Sequence, residues 1–280
     1  MPHKTYPYFD YLLSSFDNDD SSIEKSFGRH VHWGYWQDPL LASVSDDDYA
    51  IAAENLTKNI CAMADIRDNQ SVLDVGCGFG GTVAYLNENY QGMTLIGVNN
   101  DKRQLDRAEK LVSARPGNKI TFTEADACAL PYGGSQFDRM LAVECIFHFP
   151  SREKFFEQSF HLLKAGGSLT LSDFIPATSF LPVAWLLSVP AIQTFSLFGR
   201  CNIRYSLAKY MQLADRYGFE FGAHDITRHT LPTYAYLRSI LRSATDKSSL
   251  ALIASATINL TQFISRHGLL TYQILNFKKK

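Results

Sequence analysis

The chain has 280 residues, 20% of them charged, with 27 basic and 28 acidic side chains and a net charge of −1. That length carries one large core with an elaborated cap. The charge balance gives no electrostatic footprint for a nucleic-acid backbone, which normally needs a basic face, so no nucleic-acid partner is expected. Cys61, Cys77, Cys128, Cys145 and Cys201 are odd in number, scattered and without C-x-x-C spacing. They read as small buried hydrophobes rather than disulfides or metal ligands.

Met1-Pro2-His3-Lys4 opens no apolar signal segment, which predicts a cytoplasmic protein. Residues 1–47 are polar and aromatic, with an acidic run Asp17-Asn18-Asp19-Asp20. Asp46-Asp47-Asp48 suits a helix start, and a helix over 49–64 follows with Ile51, Ala52, Leu56, Ile60 and Met63 near helical spacing. Strands and helices then alternate: strand 71–75, helix 81–89, strand 94–98, helix 101–113, strand 119–123, strand 137–143, helix 152–163 and strand 168–173. Short apolar strands between helices predict an α/β fold, Rossmann-like, with a mostly parallel sheet covered on both faces. Gly117 and the pair Gly166-Gly167 are expected at helix ends.

From Phe180 to Phe198 the chain is apolar, but it is short for a membrane span and holds two prolines and several polar groups. A pocket-lining cap is the expectation, with no transmembrane span. Ser206 is placed to cap a helix over 207–217 that stops at Gly218. A strand near 219–227, a helical region over 234–266 and a final strand over 269–277 complete a seven-stranded sheet. One catalytic domain is expected, with a lid over 1–47, a core over 48–174, a cap insertion over 175–204 and a closing part over 205–280.

The informative stretch is Val72-Leu73-Asp74-Val75-Gly76-Cys77-Gly78-Phe79-Gly80-Gly81. A strand ending in an acid, a glycine-rich turn and a helix start together make a nucleotide-type site, since glycines let backbone approach a ligand and the helix offers free N–H groups. The spacing is G-x-G-x-G-G rather than the G-x-G-x-x-G of dinucleotide folds, which disfavours an NAD-dependent oxidoreductase. It resembles motif I of the class I S-adenosylmethionine (SAM) methyltransferases. The resemblance runs from about Ser71 to Phe174 and implies SAM as cofactor, held by Asp74, Gly76, Cys77 and Gly78. The family's acid at the end of the second strand is replaced here by Asn99, followed by Asn100. An amide bonds a ribose hydroxyl without charge assistance. The resemblance implies ribose contacts by Asn99 and Gln104, and adenine contacts by Asp126 and the Ala127 N–H. Glu144 and His148 match an E-x-x-x-H pattern similar to that of tocopherol, sterol and sugar O-methyltransferases. His30-Val31-His32-Trp33-Gly34-Tyr35-Trp36 resembles an N-terminal element that folds over SAM, with His32, Trp33, Tyr35 and Trp36 as its contacts.

For methyl transfer to oxygen the resemblance makes His148 the general base, with a free pKa of about 6.5 suited to neutral conditions. Asp173 would orient it from the next strand end. Glu144 takes the catalytic place if the acceptor is a carbon and a cation must be stabilised. The aromatic cap, with Phe180, Leu181, Trp185, Leu186, Phe195 and Phe198, predicts a lipophilic small-molecule acceptor. No metal is expected, and a homo-oligomer is left open. The rival readings are C- or N-transfer and a non-catalytic SAM-binding protein.

Overall fold

The computed structural model describes residues 7–189, 199–243 and 249–280. Its strands are β1 (Ser71–Val75), β2 (Thr94–Asn99), β3 (Lys119–Glu124), β4 (Phe137–Val143), β5 (Leu163–Pro176), β6 (Phe219–Asp225) and β7 (Leu270–Lys279). They form one sheet in the order β3-β2-β1-β4-β5-β7-β6. The first five are parallel neighbours, and β7 runs antiparallel between β5 and β6. The expected seven-stranded, mostly parallel Rossmann-like sheet is what the chain forms.

The helices are α1 (Pro7–Asp17), α2 (Ser21–Phe27), α3 (Asp46–Met63), α4 (Gly81–Asn89), α5 (Lys102–Leu111), α6 (Arg152–Leu162), α7 (Leu181–Leu187), α8 (Leu207–Tyr217), α9 (Thr227–Thr230), α10 (Pro232–Ser243) and α11 (Ser249–Arg266). Their starts follow capping chemistry. Ser45 accepts from the Asp48 N–H, Asp101 from the Arg103 N–H and Ser151 from the Lys154 N–H. Ser206 stands at the predicted cap position of α8 but its side chain makes no cap bond.

One expectation changes. Gly166 does not end a helix. β5 already pairs with β4 at Phe137↔Leu163, and the register slips before Arg139↔Ser168, so Gly166 (φ 74°) lies in a bulge. Over 234–266 the described residues are helical, in α10 and α11; residues 244–248 lie outside the described residues, as do Phe195 and Phe198 of the cap. Among the described residues no helix is long and apolar enough to cross a membrane.

Central β1 and β4 are buried almost throughout, with Leu73, Met140, Leu141 and Ala142 fully enclosed. One face packs against α6 and α8 through Phe155, Phe156 and Tyr210; Ile60, Leu56 and Val83 of α3 and α4 lie in a second cluster on the sheet. This burial fixes the carboxyl ends of β1, β2 and β4, and ligands of such sheets bind beyond those ends.

Candidate active site

A cleft of about 900 Å³, partly continuous with solvent, opens at those strand ends. Its floor is the β1–α4 turn. Gly76 (φ 81°) and Gly78 (φ 55°) adopt left-handed backbone conformations that glycine favours. A Cβ on Gly76 would fall 2.7 Å from Cys145 Sγ, whereas one on Gly78 would meet no protein atom within 4 Å. Gly78 also lines the cleft, so the turn shapes a cradle that a side chain there would fill.

Asp74 lines the same cleft, and its Oδ2 is buried without a hydrogen-bond partner. Burial pushes its pKa up to about 7. A buried carboxyl oxygen with no protein donor, beside an open cradle, fits a ligand that brings donors or positive charge. At the end of β2, Asn99 donates to Gln104 Oε1 at 3.1 Å and its Oδ1 accepts from the Asp101 N–H at 3.1 Å. Asn99, Asn100 and Gln104 line the cleft, as do Asp126 and Ala127 after β3. Asp126 Oδ1 accepts from the Cys128 N–H at 2.8 Å, which shapes that loop.

Glu144 and His148 enter from the end of β4. Glu144 Oε2 accepts from the Trp33 N–H at 2.9 Å and the Tyr272 hydroxyl at 2.6 Å. Burial raises its pKa to about 8 against these two bonds, and Asp173 adds to the rise. His148 follows in a one-turn 3-10 helix (Ile146–His148), and its Nδ1 lies 3.0 Å from the Arg200 carbonyl. A ring nitrogen facing a carbonyl carries the proton, so the basic lone pair is on Nε2.

Asp173 is not the partner of His148. In β5 it follows Ser172, and successive strand residues face opposite sides. Ser172 faces Glu144 and Tyr272, while Asp173 turns to the other face. There it is fully buried, 2.9 Å from Arg152 and 2.6 Å from the Tyr210 hydroxyl. The Arg200 carbonyl holds the imidazole instead.

The aromatic lid is corrected as well. Trp33, Tyr35 and Trp36 are absent from the cleft lining. Trp33 packs edge-on against Tyr234 and Phe174, Tyr35 stacks on His229, and Trp36 Nε1 donates to Asp48. Large apolar rings beside other rings bury more area as core than as a cover. Only the Trp33 backbone N–H reaches the site, through Glu144. His32 does line the cleft, held between Thr57 and the Trp33 carbonyl, and burial lowers its pKa to about 3.

Among the lining residues that sequence reasoning missed are Tyr8, Phe9, Arg29 and His30, which come from the N-terminal segment. Tyr8 and Phe9 bring α1 over the cleft, with the Tyr8 ring 6.4 Å from that of His148 and Phe9 edge-on to Phe79. His30 pairs with Glu54 at 2.6 Å. The adjacent aromatics of α1 in the region expected to form a lid were the available signal.

Residues 72–167 match the model of a methyltransferase domain family. Methyltransferase GfsG of Streptomyces halstedii is 29% identical over 220 residues, 78% of this chain and 76% of that protein. The 27-O-demethylrifamycin SV methyltransferase of Amycolatopsis mediterranei is 28% identical over 172 residues, 61% of each chain. Among solved structures, the cyclase SpnF superposes with a TM-score of 0.71 at 19% identity, covering 98% of this chain and 93% of its own. That likeness concerns the fold alone.

Proposed function

Because this chain is a class I, SAM-dependent methyltransferase of the small-molecule kind, we propose that it methylates a hydroxyl oxygen of a lipophilic natural product, with His148 as general base. The carrying observation is the His148 ring in the cleft wall with Nδ1 on the Arg200 carbonyl. That contact fixes the tautomer a base requires. Relatives named 27-O-demethylrifamycin SV methyltransferase and O-methyltransferase cnsE support the choice of oxygen.

The cofactor supplies an electrophilic methyl on a sulfonium. Asp74 and the Gly76–Gly78 turn would hold its amino-acid end, Asn99 and Gln104 its ribose, Asp126 and Ala127 its base. The residues then act on the acceptor. The cleft aligns the hydroxyl in line with the methyl, which supplies much of the rate gain. As the oxygen–carbon bond forms and the carbon–sulfur pair stays on sulfur, His148 Nε2 takes the hydroxyl proton. Tyr8 and Phe9 of α1 line the cleft and would help exclude water from the transfer site.

Incubating the protein with SAM and a lipophilic metabolite extract should yield a product heavier by one methylene. His148→Ala should lower its formation by about 10²–10⁴-fold, the usual worth of a general base, with SAM affinity unchanged. Near-normal turnover would remove the base assignment. A severe loss in Glu144→Gln with a mild one in His148→Ala would instead mark transfer to carbon.

A further inference from the structure

Glu144 stands just past β4 in the left-handed backbone region (φ 49°), a costly conformation for a residue with a side chain. The surroundings hold it there. Its N–H bonds Ser172 Oγ at 3.0 Å, and Oε2 takes both the Trp33 N–H and the Tyr272 hydroxyl. Tyr272 Oη is also 3.1 Å from Ser172 Oγ, so β5 and β7 steady the clamp. Both side-chain bonds are to Oε2, among the described residues none is seen to Oε1, and Glu144 lines the cleft. One carboxyl oxygen is immobilised and the other is presented to a ligand.

The position selects which part of a ligand it meets. β4 is the direct neighbour of β1, and Cys145 touches Gly76. Glu144 therefore faces the part of the cleft at the Gly76–Gly78 turn, whereas Asp126 lies past β3, two strands beyond β1. In the reading above, the turn holds the end of the cofactor that carries sulfur. The donor is a sulfonium cation there; the product, S-adenosylhomocysteine, is a neutral thioether.

We propose that Glu144 reads this charge, so that the cleft favours SAM over S-adenosylhomocysteine, and that Tyr272 is the positioning residue that holds it in place. The inference rests on the reading that this cleft binds SAM. Product release is eased, because the attraction disappears with the transferred methyl.

The charge of Glu144 sets the pH dependence. Tyr272 from β7, Tyr49 from α3, Tyr234 from α10, neighbouring Cys145 and Cys201 are the titratable groups around it, and Asp173 acts on it through space from the other face of β5. Burial pushes the phenols and thiols up, keeping them neutral near pH 8, and Asp173 is matched by Arg152. Glu144, at about 8, titrates within reach. A bound cation lowers that value, so SAM affinity should rise as pH climbs towards 8, while binding of the neutral thioether should not. Asp74 titrates in the same cleft, but groups shared by both ligands cancel in their affinity ratio.

The test is calorimetric titration of the full chain with SAM and with S-adenosylhomocysteine, from about pH 6 to about pH 9. In the wild type the SAM-to-product affinity ratio should rise about tenfold, the change that accompanies a one-unit drop in pKa on binding. In Glu144→Gln the ratio should stay flat, with product binding retained as evidence of folding. In Tyr272→Phe the rise should move to higher pH, since a bond favouring the ionised carboxyl is gone; a merely structural tyrosine would leave the midpoint in place. A flat wild-type ratio, or a rise that survives Glu144→Gln, overturns the inference. An unmoved midpoint in Tyr272→Phe removes the positioning role. If the wild type binds neither ligand, the reading of the cleft itself falls.

Discussion

Asp173 and Asp74 are both fully enclosed carboxyls, yet their surroundings give them opposite work. Asp173 is matched by Arg152 and Tyr210, and Arg152 also donates to the Asn202 carbonyl and lies over the Tyr205 ring. Removing one partner of a buried pair costs about 3–5 kcal/mol. Asp173→Asn should therefore lower stability by that order in urea unfolding, with turnover per folded molecule near normal. Lost turnover at unchanged stability would return Asp173 to the catalytic couple. Asp74 has no such partner; Oδ2 is orphaned. Its folded pKa is raised, so its contribution to stability is present below the unfolded value and lost as pH rises to about 7. Asp74→Asn should then be at least as stable as the wild type at pH 8 while binding SAM worse, by roughly 1–3 kcal/mol for a lost bond to a charged group. A variant that loses stability at pH 8 and keeps SAM affinity would contradict this.

Elements marked by local chemistry were legible in the sequence. The bounds of β1, α4, β4 and α8 agree with the residue pattern because glycines and apolar runs punctuate them. β5 was read too short, since Leu163–Gly167 resembles a helix end but pairs with Phe137 across a bulge. The residues that come together in the cleft were legible along the turns after β1, β2 and β3, because those turns lie at neighbouring strand ends of one sheet. The site was not legible where tertiary partners decide. Trp33 and Trp36 are aromatic whether they cover a ligand or fill a core, and Tyr272 reaches Glu144 from a strand 128 residues away. The cover is formed by α1. It is held by apolar packing, with Leu12 buried and Phe9 and Phe16 edge-on to Phe79, and by the ion pairs of Arg103 with Asp10 and, through α2, Arg107 with Glu24, of which the exposed Arg103 pair is typically worth at most about 1 kcal/mol. Limited proteolysis without ligand is expected to cut near Asp17–Asp20, between α1 and α2, and SAM should slow the cut. Equal cleavage with and without SAM would make α1 a fixed part of the fold.

At the scale of the whole molecule, the cleft makes the ligand-free protein pH-sensitive. Two opposing sets of groups act. His32 is held neutral in the fold, its pKa depressed to about 3, and His30 is lowered in the same direction. Stability from such groups is present above the unfolded histidine value of about 6.5 and is lost as pH falls below it. Asp74 and Glu144 are raised to about 7 and about 8. Their contribution is complete below the unfolded carboxyl values near 4 and declines as pH rises through the folded ones. Between about pH 4 and 6.5 the two sets offset each other; above about 6.5 only the carboxyls act. The ligand-free protein should thus lose roughly 2–3 kcal/mol between about pH 6.5 and 8, taking 1.36 kcal/mol per unit for each group still protonated only in the fold. Saturating ligand at about 100 times its Kd should add about 2.7 kcal/mol, which for a chain of this size is a Tm rise of several degrees. Thermal unfolding at about pH 6.5 and about pH 8, with and without S-adenosylhomocysteine, measures both effects. In the Asp74→Asn, Glu144→Gln double variant the pH-dependent fall should largely vanish. A wild-type fall that persists unchanged in that variant would place the sensitivity outside the cleft.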